Sequence, residues 1–155
     1  MSAKKKIDEY KILIIDDNLN TLDIYRRYFE FYGFTVISAQ KGREALSKVM
    51  RERPDIVILD VMLPDIDGFE VTKQIREFNT VLPIIMITAK VDHNDKIRGF
   101  MSGAHRYLTK PCSPDKVLKE IKKLLNLKGE LLNELDKQNK QTESNSDTVE
   151  LPPFE

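Results

Sequence analysis

Residues 12–17 read Ile-Leu-Ile-Ile-Asp-Asp, four aliphatic side chains followed directly by two aspartates. An apolar run without polar alternation is typical of a strand that is buried on both faces of a parallel sheet. Two other runs also end in charged residues, Ile-Val-Ile-Leu-Asp at 56–60 and Tyr-Leu-Thr-Lys-Pro at 107–111. Because ligands of parallel sheets bind outside the carboxyl ends of the strands, we expect three acids and one ammonium to meet at one edge.

Strand and helix patterns alternate five times within residues 11–127. The predicted strands cover residues 11–16, 34–38, 55–59, 83–87 and 105–108. The predicted helices begin with a cap at Asn20, at Gly42, and after caps at Asp67, Asp92 and Ser113. Such alternation calls for right-handed crossovers around a parallel sheet, so the sequence predicts an α/β fold of the doubly wound type.

The first predicted helix is rich in aromatic residues, and Gly33 is expected to end it. The face expected to pack on the sheet carries Ile24, Tyr25, Tyr28, Phe29 and Tyr32. Leu22 and Phe31 are expected to flank that face by about a quarter turn.

Composition bounds the class of protein. The 155 residues include 25 basic and 25 acidic side chains, so no global field would recruit nucleic acid or a membrane. Cys112 is the only cysteine, which excludes an intrachain disulfide and suits a reducing compartment. The N-terminus lacks a secretory signal, and the apolar run from Val81 to Ala89 is too short to span a bilayer. We therefore expect a cytoplasmic protein with one domain.

The chain divides into an N-terminal extension (1–10), the domain (11–127) and a C-terminal extension (128–155) that combines helical and disordered character. Heptad spacing continues past the domain through Leu118, Ile121, Leu125, Leu132 and Leu135. This continuation could pair with a second chain, giving a homodimer, or fold back on the domain. The sequence leaves both arrangements open.

The polar residues at the predicted strand ends suggest a metal site beside a phosphate site. Asp16, Asp17 and Asp60 offer the carboxylate oxygens that Mg²⁺ prefers. An aspartate can also attack phosphorus to give an acyl phosphate, and Lys110 would neutralise the charge that develops during such a transfer. Thr88 offers a hydroxyl to a phosphoryl oxygen. Each feature alone is common at helix starts and in loops, and only their joint occurrence predicts the site.

At these residues the sequence resembles the receiver domain of two-component response regulators, from Lys11 to about Leu127. The resemblance rests on Ile-Asp-Asp (15–17), Leu-Asp-Val-Met-Leu-Pro-Asp-Ile-Asp-Gly (59–68), Thr-Ala (88–89) and Lys-Pro (110–111). It implies a flavodoxin-like, CheY-like sandwich with a parallel five-stranded sheet in the order 2-1-3-4-5.

The resemblance also implies functions for individual residues. Asp60 would accept a phosphoryl group from a histidine kinase or a histidine phosphotransfer protein. Asp17, Asp60 and the backbone carbonyl of Met62 would bind Mg²⁺ directly, with Asp16 acting directly or through water.

Two further expectations come from the same resemblance. Lys110 would pair with the phosphoryl oxygens, and the peptide bond between Lys110 and Pro111 would be cis. Thr88 and Tyr107 would form the switch pair that repacks the surface of helix four, strand five and helix five.

Two other classes of protein fit this sequence less well. A hydrolase of the haloacid-dehalogenase type needs a second acid two residues after its nucleophile, and that position is Met62. A nucleotide-binding module needs a Gly-rich or Ser/Thr-rich loop after strand one, where residues 17–20 read Asp-Asn-Leu-Asn. His93 and His105 are too few and too separated for a metal cluster, and we interpret both as ordinary residues.

We therefore expect a stand-alone receiver that is not a multiple-turnover enzyme and that binds an unidentified target protein when phosphorylated. No helix-turn-helix pattern follows the domain, which predicts no direct nucleic-acid binding. Two alternatives stay open. The protein could be a phosphorelay intermediate that passes the group to another histidine protein, or a receiver-like binding module that works without phosphorylation.

Overall fold

A computed structural model describes residues 5–127. Its five strands are β1 (Lys11–Ile15), β2 (Thr35–Ala39), β3 (Ile56–Leu59), β4 (Ile84–Thr88) and β5 (Arg106–Thr109). They form one sheet in the order β2-β1-β3-β4-β5, and each neighbouring pair is parallel. The doubly wound α/β class and the 2-1-3-4-5 order predicted from the sequence are confirmed.

The strands are followed by the helices α1 (Leu19–Phe31), α2 (Gly42–Glu52), α3 (Gly68–Phe78), α4 (His93–Ser102) and α5 (Pro114–Leu124). A short 3₁₀ turn, Ile7–Glu9, precedes β1. Local chemistry explains several boundaries. The Asp67 side chain accepts a hydrogen bond from the Glu70 backbone N–H at the start of α3, and Gly103, at φ 116°, ends α4 in the left-handed region that favours glycine.

The expected cap of α1 at Asn20 is wrong. Asn18 is the N-cap, and its side chain accepts hydrogen bonds from the backbone N–H groups of Asn20 and Thr21. The helix therefore begins two residues earlier, because Asn18 already satisfies donors that would otherwise be orphaned in its first turn.

The expected inward face of α1 is wrong at two positions. Leu22 is buried at 4 % exposure, whereas Ile24 is 57 % exposed. The face that packs on the sheet runs through Leu22, Tyr25, Phe29 and Tyr32, with steps of three or four residues. Ile24 lies between these steps, and its side chain therefore projects away from the core.

The sheet separates two apolar clusters, which explains the continuous aliphatic strands. Ile12 and Ile14 of β1 pack on the side of α1 and α5, with Phe29 and Leu118. Leu13 and Ile15 pack on the opposite side, which includes Ala45 of α2 and Ile75 of α3. Because successive side chains of a strand alternate between faces, both faces of a covered sheet must be apolar.

The C-terminal extension (128–155), the heptad leucines Leu132 and Leu135, and the dimer expected through them lie outside the described residues. Within residues 5–127, none of the helices combines the length and the apolar character that a membrane span requires.

Candidate functional site at the carboxyl edge of the sheet

The charged residues predicted at strand ends are held by the sheet itself. The backbone N–H of Asp16 donates to Ala39 (3.1 Å), that of Asp60 to Ile15 (3.0 Å), and that of Lys110 to Thr88 (2.8 Å). Each of these three residues is therefore the first one past its strand, and its backbone continues the ladder of parallel hydrogen bonds. Their side chains start from neighbouring points on one edge.

Lys110 bridges the two buried aspartates. Its Nζ lies 2.7 Å from Asp16 Oδ2 and 2.7 Å from Asp60 Oδ2. Asp16 and Asp60 are only 4 % and 6 % exposed, so their carboxylates have lost most of their contact with water. Burial opposes the charged form of Lys110, but hydrogen bonds and attraction from the two carboxylates outweigh it and raise the pKa of Lys110.

The loop that follows Asp60 closes tightly on the residue. The Asp60 Oδ1 atom accepts a hydrogen bond from the Met62 backbone N–H at 3.0 Å. Gly68 donates its N–H to Val61 O at 2.8 Å. A Cβ at Gly68 would lie 2.6 Å from the Asp60 carbonyl oxygen, so this close approach requires glycine.

Asp65 fastens the same loop to the start of α2. Its carboxylate accepts hydrogen bonds from the backbone N–H groups of Gly42 (2.8 Å) and Arg43 (3.0 Å). Lys41, the N-cap of α2, makes no side-chain cap of its own. The small penalty of burial is outweighed by these backbone donors, which lower the pKa of Asp65 to about 2. Asp65 therefore caps a helix that lies more than twenty residues earlier in the chain.

Thr88 and Tyr107 meet at the segment between β4 and α4. Thr88 is fully buried, and its Oγ1 accepts a hydrogen bond from the Lys90 backbone N–H at 3.3 Å. The Tyr107 ring is buried, and its hydroxyl donates to the Lys90 carbonyl at 2.8 Å. Burial, with the negative charges of Asp95 and Asp60, raises the pKa of Tyr107 to about 12.

The peptide bond between Lys110 and Pro111 is cis. The next residue, Cys112, accepts a hydrogen bond on its carbonyl from the Tyr25 hydroxyl at 2.8 Å. This contact ties the segment after β5 to α1. Burial is the largest of the causes that raise the pKa of the Cys112 thiol.

A model of the response regulator receiver domain matches residues 12–122. The chain belongs to this family. Response regulators are signalling proteins rather than classical enzymes, and receiver domains interact with histidine kinases.

Two curated relatives of this receiver domain come from Bacillus subtilis (strain 168). The alkaline phosphatase synthesis transcriptional regulatory protein PhoP is 44 % identical over 115 residues, 74 % of this chain and 48 % of PhoP. The transcriptional regulatory protein ResD is 39 % identical over 118 residues, 76 % of this chain and 49 % of ResD. The chain spans about half the length of these relatives. Their names leave the expectation of no nucleic-acid binding without support.

Solved receiver-type structures share the fold. A response regulator from Chloroflexus aurantiacus is 36 % identical with a TM-score of 0.72, covering 76 % of this chain and 98 % of that one. The chemotaxis response regulator CheY4 of Vibrio cholerae is 32 % identical with a TM-score of 0.68, covering 74 % and 98 %. The BeF3-activated DrrB receiver domain is 31 % identical with a TM-score of 0.70, covering 76 % and 98 %.

Receiver domains generally bind Mg²⁺, and the donor set of this receiver domain suits that ion. Asp16 and Asp60 supply two buried carboxylates, and the adjacent Asp17 is exposed. Two buried carboxylates against the single ammonium of Lys110 leave an excess of negative charge and of oxygen donors, which suits a hard divalent cation. Within residues 5–127 the side chains form no group of three or more His, Cys, Asp or Glu close enough to hold a metal. The ion pairs of Lys110 are to Asp16 and Asp60.

Sequence reasoning missed two contacts of this receiver domain. It assigned no role to Asp65, because its partners lie in α2 and no local pattern points to them. It interpreted His105 as ordinary, whereas His105 Nδ1 accepts a hydrogen bond from the Ile84 backbone N–H and contacts Arg76 Nη2 at 3.3 Å. The guanidinium of Arg76 also donates to three backbone carbonyls, those of Asn79, Leu82 and Gly103.

Proposed function

We propose that this receiver domain accepts a phosphoryl group on Asp60 and thereby changes its affinity for a protein partner. One observation carries the proposal. A buried carboxylate at the carboxyl end of a central strand lies 2.7 Å from an ammonium that a second buried carboxylate also holds. Such a group is a nucleophile with a cation already in position to neutralise incoming phosphoryl charge.

The transfer forms one bond and breaks one. A carboxylate oxygen of Asp60 attacks phosphorus, and the bond from phosphorus to the donor breaks, leaving an acyl phosphate on Asp60. A phosphohistidine donor leaves as imidazole with the electron pair of its P–N bond, and a small acyl phosphate leaves as a carboxylate. Lys110, already 2.7 Å from Asp60 Oδ2, pairs with the phosphoryl oxygens as the charge shifts onto them.

Mg²⁺ would be held by Asp17, Asp60 and the backbone carbonyl of Met62, with Asp16 contributing directly or through water. When bound, the ion neutralises negative charge between the carboxylates and the phosphoryl group. The chain itself supplies the rest. Asp65 and Gly68 fix the loop that carries Met62, and the backbone N–H of Met62 orients the Asp60 carboxylate.

Thr88 and Tyr107 would carry the signal away from Asp60. The Thr88 hydroxyl turns toward the phosphoryl group, and the Tyr107 ring fixes the surface formed by α4, β5 and α5. This surface exposes Ile97, Phe100 and Met101 of α4 to 43 %, 51 % and 83 %. The apolar area suits a protein target, and the phosphoryl donor would be a histidine kinase or a histidine phosphotransfer protein.

Intact mass after incubation with Mg²⁺ and acetyl phosphate tests the proposal. Wild type should gain the mass of one phosphoryl group, and the gain should disappear on chelation of Mg²⁺. Asp60→Asn should gain none, because an amide is a poor nucleophile, while Asp23→Asn, at an exposed aspartate of α1, should still be modified. No adduct on wild type, even with a histidine kinase, would leave the chain as a binding module that works without phosphorylation.

A second experiment separates a switch from a relay. Purified phosphorylated domain is mixed with an unphosphorylated histidine phosphotransfer protein, and the distribution of phosphoryl group is followed. Rapid transfer back to histidine supports a phosphorelay intermediate. Retention on Asp60 with phosphorylation-dependent binding of a non-kinase target supports a switch.

A further inference from the structure

Gly99 lies in the interior of α4 at the point where the helix crosses the ring of Tyr107. A Cβ placed on Gly99 would lie 2.6 Å from Tyr107 Cδ2, 3.0 Å from Tyr107 Cε2 and 3.1 Å from Met86 Sδ. Distances below about 3 Å are not tolerated between carbon atoms, so any side chain at position 99 requires the ring to move. The ring atoms involved are attached close to the backbone and cannot bend away without a change of rotamer.

Backbone conformation does not explain this glycine. Gly33 and Gly103 have positive φ angles, where glycine is favoured, but Gly99 has the right-handed conformation of its helix. Glycine is a poorer helix former than every residue except proline, so its presence inside α4 weakens the helix. The space for the Tyr107 ring is the physical reason that offsets this loss.

The same contact fastens α4 to the rest of the domain. Within α4, which the structure describes in full, Gly99 is the one buried residue. The hydroxyl of Tyr107 also donates to the Lys90 carbonyl, in the segment that leads into α4. Tyr107 therefore contacts this part of the domain at two points, through its hydroxyl at Lys90 and through its Cδ2 and Cε2 atoms at Gly99.

We infer that Gly99 is the positioning residue that permits the buried state of Tyr107, and that any Cβ at position 99 drives the ring outward and frees α4. This inference deepens the proposed function, because it rests on Tyr107 as the element that transmits phosphorylation. The residue at position 99 then determines whether the Tyr107 ring is buried or turned outward. It does so without contacting Asp60, Lys110 or a phosphoryl group on Asp60.

Thermal unfolding in three backgrounds tests the steric part without any phosphoryl donor. Gly99→Ala should lower the midpoint temperature in wild type and in Tyr107→Phe, since both retain the ring. In Tyr107→Ala it should raise the midpoint, because alanine is then only the better helix former. An equal effect of Gly99→Ala in all three backgrounds overturns the inference.

A second readout keeps the test decisive if Tyr107→Ala fails to fold. In NMR spectra, ring protons of Tyr107 should show contacts to the α protons of Gly99 and to the Met86 methyl group, with Tyr107→Phe used for assignment. In Gly99→Ala the contact to Met86 should disappear. Its persistence at wild-type intensity would show that the ring has not moved, and the inference would be wrong.

The effect of Gly99→Ala on the response to phosphorylation is then measured after incubation with Mg²⁺ and acetyl phosphate. Gly99→Ala should gain one phosphoryl mass like wild type, but the chemical shifts of α4 should respond less to the modification. An undiminished response overturns the inference, even with the mass gain intact. Absence of the mass gain in wild type contradicts the proposed function instead, and leaves the result of the thermal experiment valid.

Discussion

At the level of single residues, the contact of Lys110 with two buried carboxylates should stabilise the folded domain. Lys110→Met should lower the free energy of unfolding by roughly 2 kcal/mol, less than the full cost of breaking a buried pair because Lys110 is 29 % exposed. Asp16 and Asp60 would then repel each other with no cation between them. Urea unfolding measures the loss.

Lys110→Met also tests whether a metal ion can replace the ammonium. Mg²⁺ should recover part of the lost stability, because a divalent cation can replace the ammonium between the carboxylates. Lys119→Met, at an exposed position of α5, is the matched control and should unfold like wild type. Equal stability of Lys110→Met and wild type without Mg²⁺ would contradict the bridging arrangement.

At the level of elements, Asp65 joins the loop after β3 to α2. Asp65→Ala should cost about 1 kcal/mol of unfolding free energy near neutral pH, the usual value of a lost helix cap. The folded pKa is lowered to about 2, so the stabilisation is present above the unfolded pKa of about 4 and is lost as pH falls toward 2. Urea titrations across this range should show the two proteins converging. Glu77→Ala, an exposed charge on α3, should show no such convergence.

His105 links β5 to the start of β4 and to α3. The Ile84 N–H can only donate, so Nδ1 of His105 must be an acceptor, and the neutral ring carries its proton on Nε2. Burial, then the positive charges of Arg76 and Arg106, lowers the pKa of His105. The neighbouring Arg106 is itself paired with the carboxylate of Glu120 in α5 at 2.8 Å.

This lowered pKa makes stability depend on pH. As pH falls below about 6.5, the unfolded chain takes up the proton before the folded one, so the free energy of unfolding decreases down to the folded pKa. His105→Asn keeps an acceptor for Ile84 but does not titrate, so its stability should be flatter between about pH 7 and 5.5. His93→Asn, at the chain's other histidine, should retain the wild-type slope. Urea unfolding at several pH values distinguishes them, and parallel slopes for all three proteins would rule out the contact.

The sequence predicted most elements because each carries its own signal. The continuous aliphatic strands and the caps at Asp67 and Asp92 predicted the right class, and α2 begins at the residue expected, Gly42. The start of α1 was predicted wrongly because Asn18 and Asn20, two residues apart, are equally good N-cap candidates in the sequence. Which one acts depends on where the preceding loop leaves the strand.

For the candidate site, the residues at the strand ends could be predicted, whereas the contacts between distant elements could not. Strand ends bring Asp16, Asp60 and Lys110 to one edge of any parallel sheet, and the resemblance to receiver domains supplied the strand order that makes them neighbours. The hydrogen bonds of Asp65 to α2, and the fit of Gly99 on Tyr107, depend on how helices dock across the sheet. A contact between elements far apart in the chain leaves no periodicity or motif in the sequence.

At the level of the whole molecule, Leu127, the last residue that the structure describes, is buried at 5 % exposure and belongs to the apolar cluster on the side of α1 and α5. We predict that a chain ended after Leu127 keeps its free energy of unfolding to within about 0.5 kcal/mol, because the described core already covers both faces of the sheet. Urea unfolding of the shortened chain checks this, and a larger loss would show that the extension packs on the domain. Sedimentation of the two lengths tests the homodimer expected from the heptad leucines.

The spacing of the site along the chain has a consequence for biogenesis. Lys110 contacts Asp16 across 94 positions and Asp60 across 50. During synthesis the two acids emerge first, and the ammonium emerges only after all five strands have been made. A chain that ends before Lys110 thus holds both acids without their counter-charge. Under the proposed phosphoryl transfer, such an unfinished chain lacks the cation that would neutralise the incoming charge.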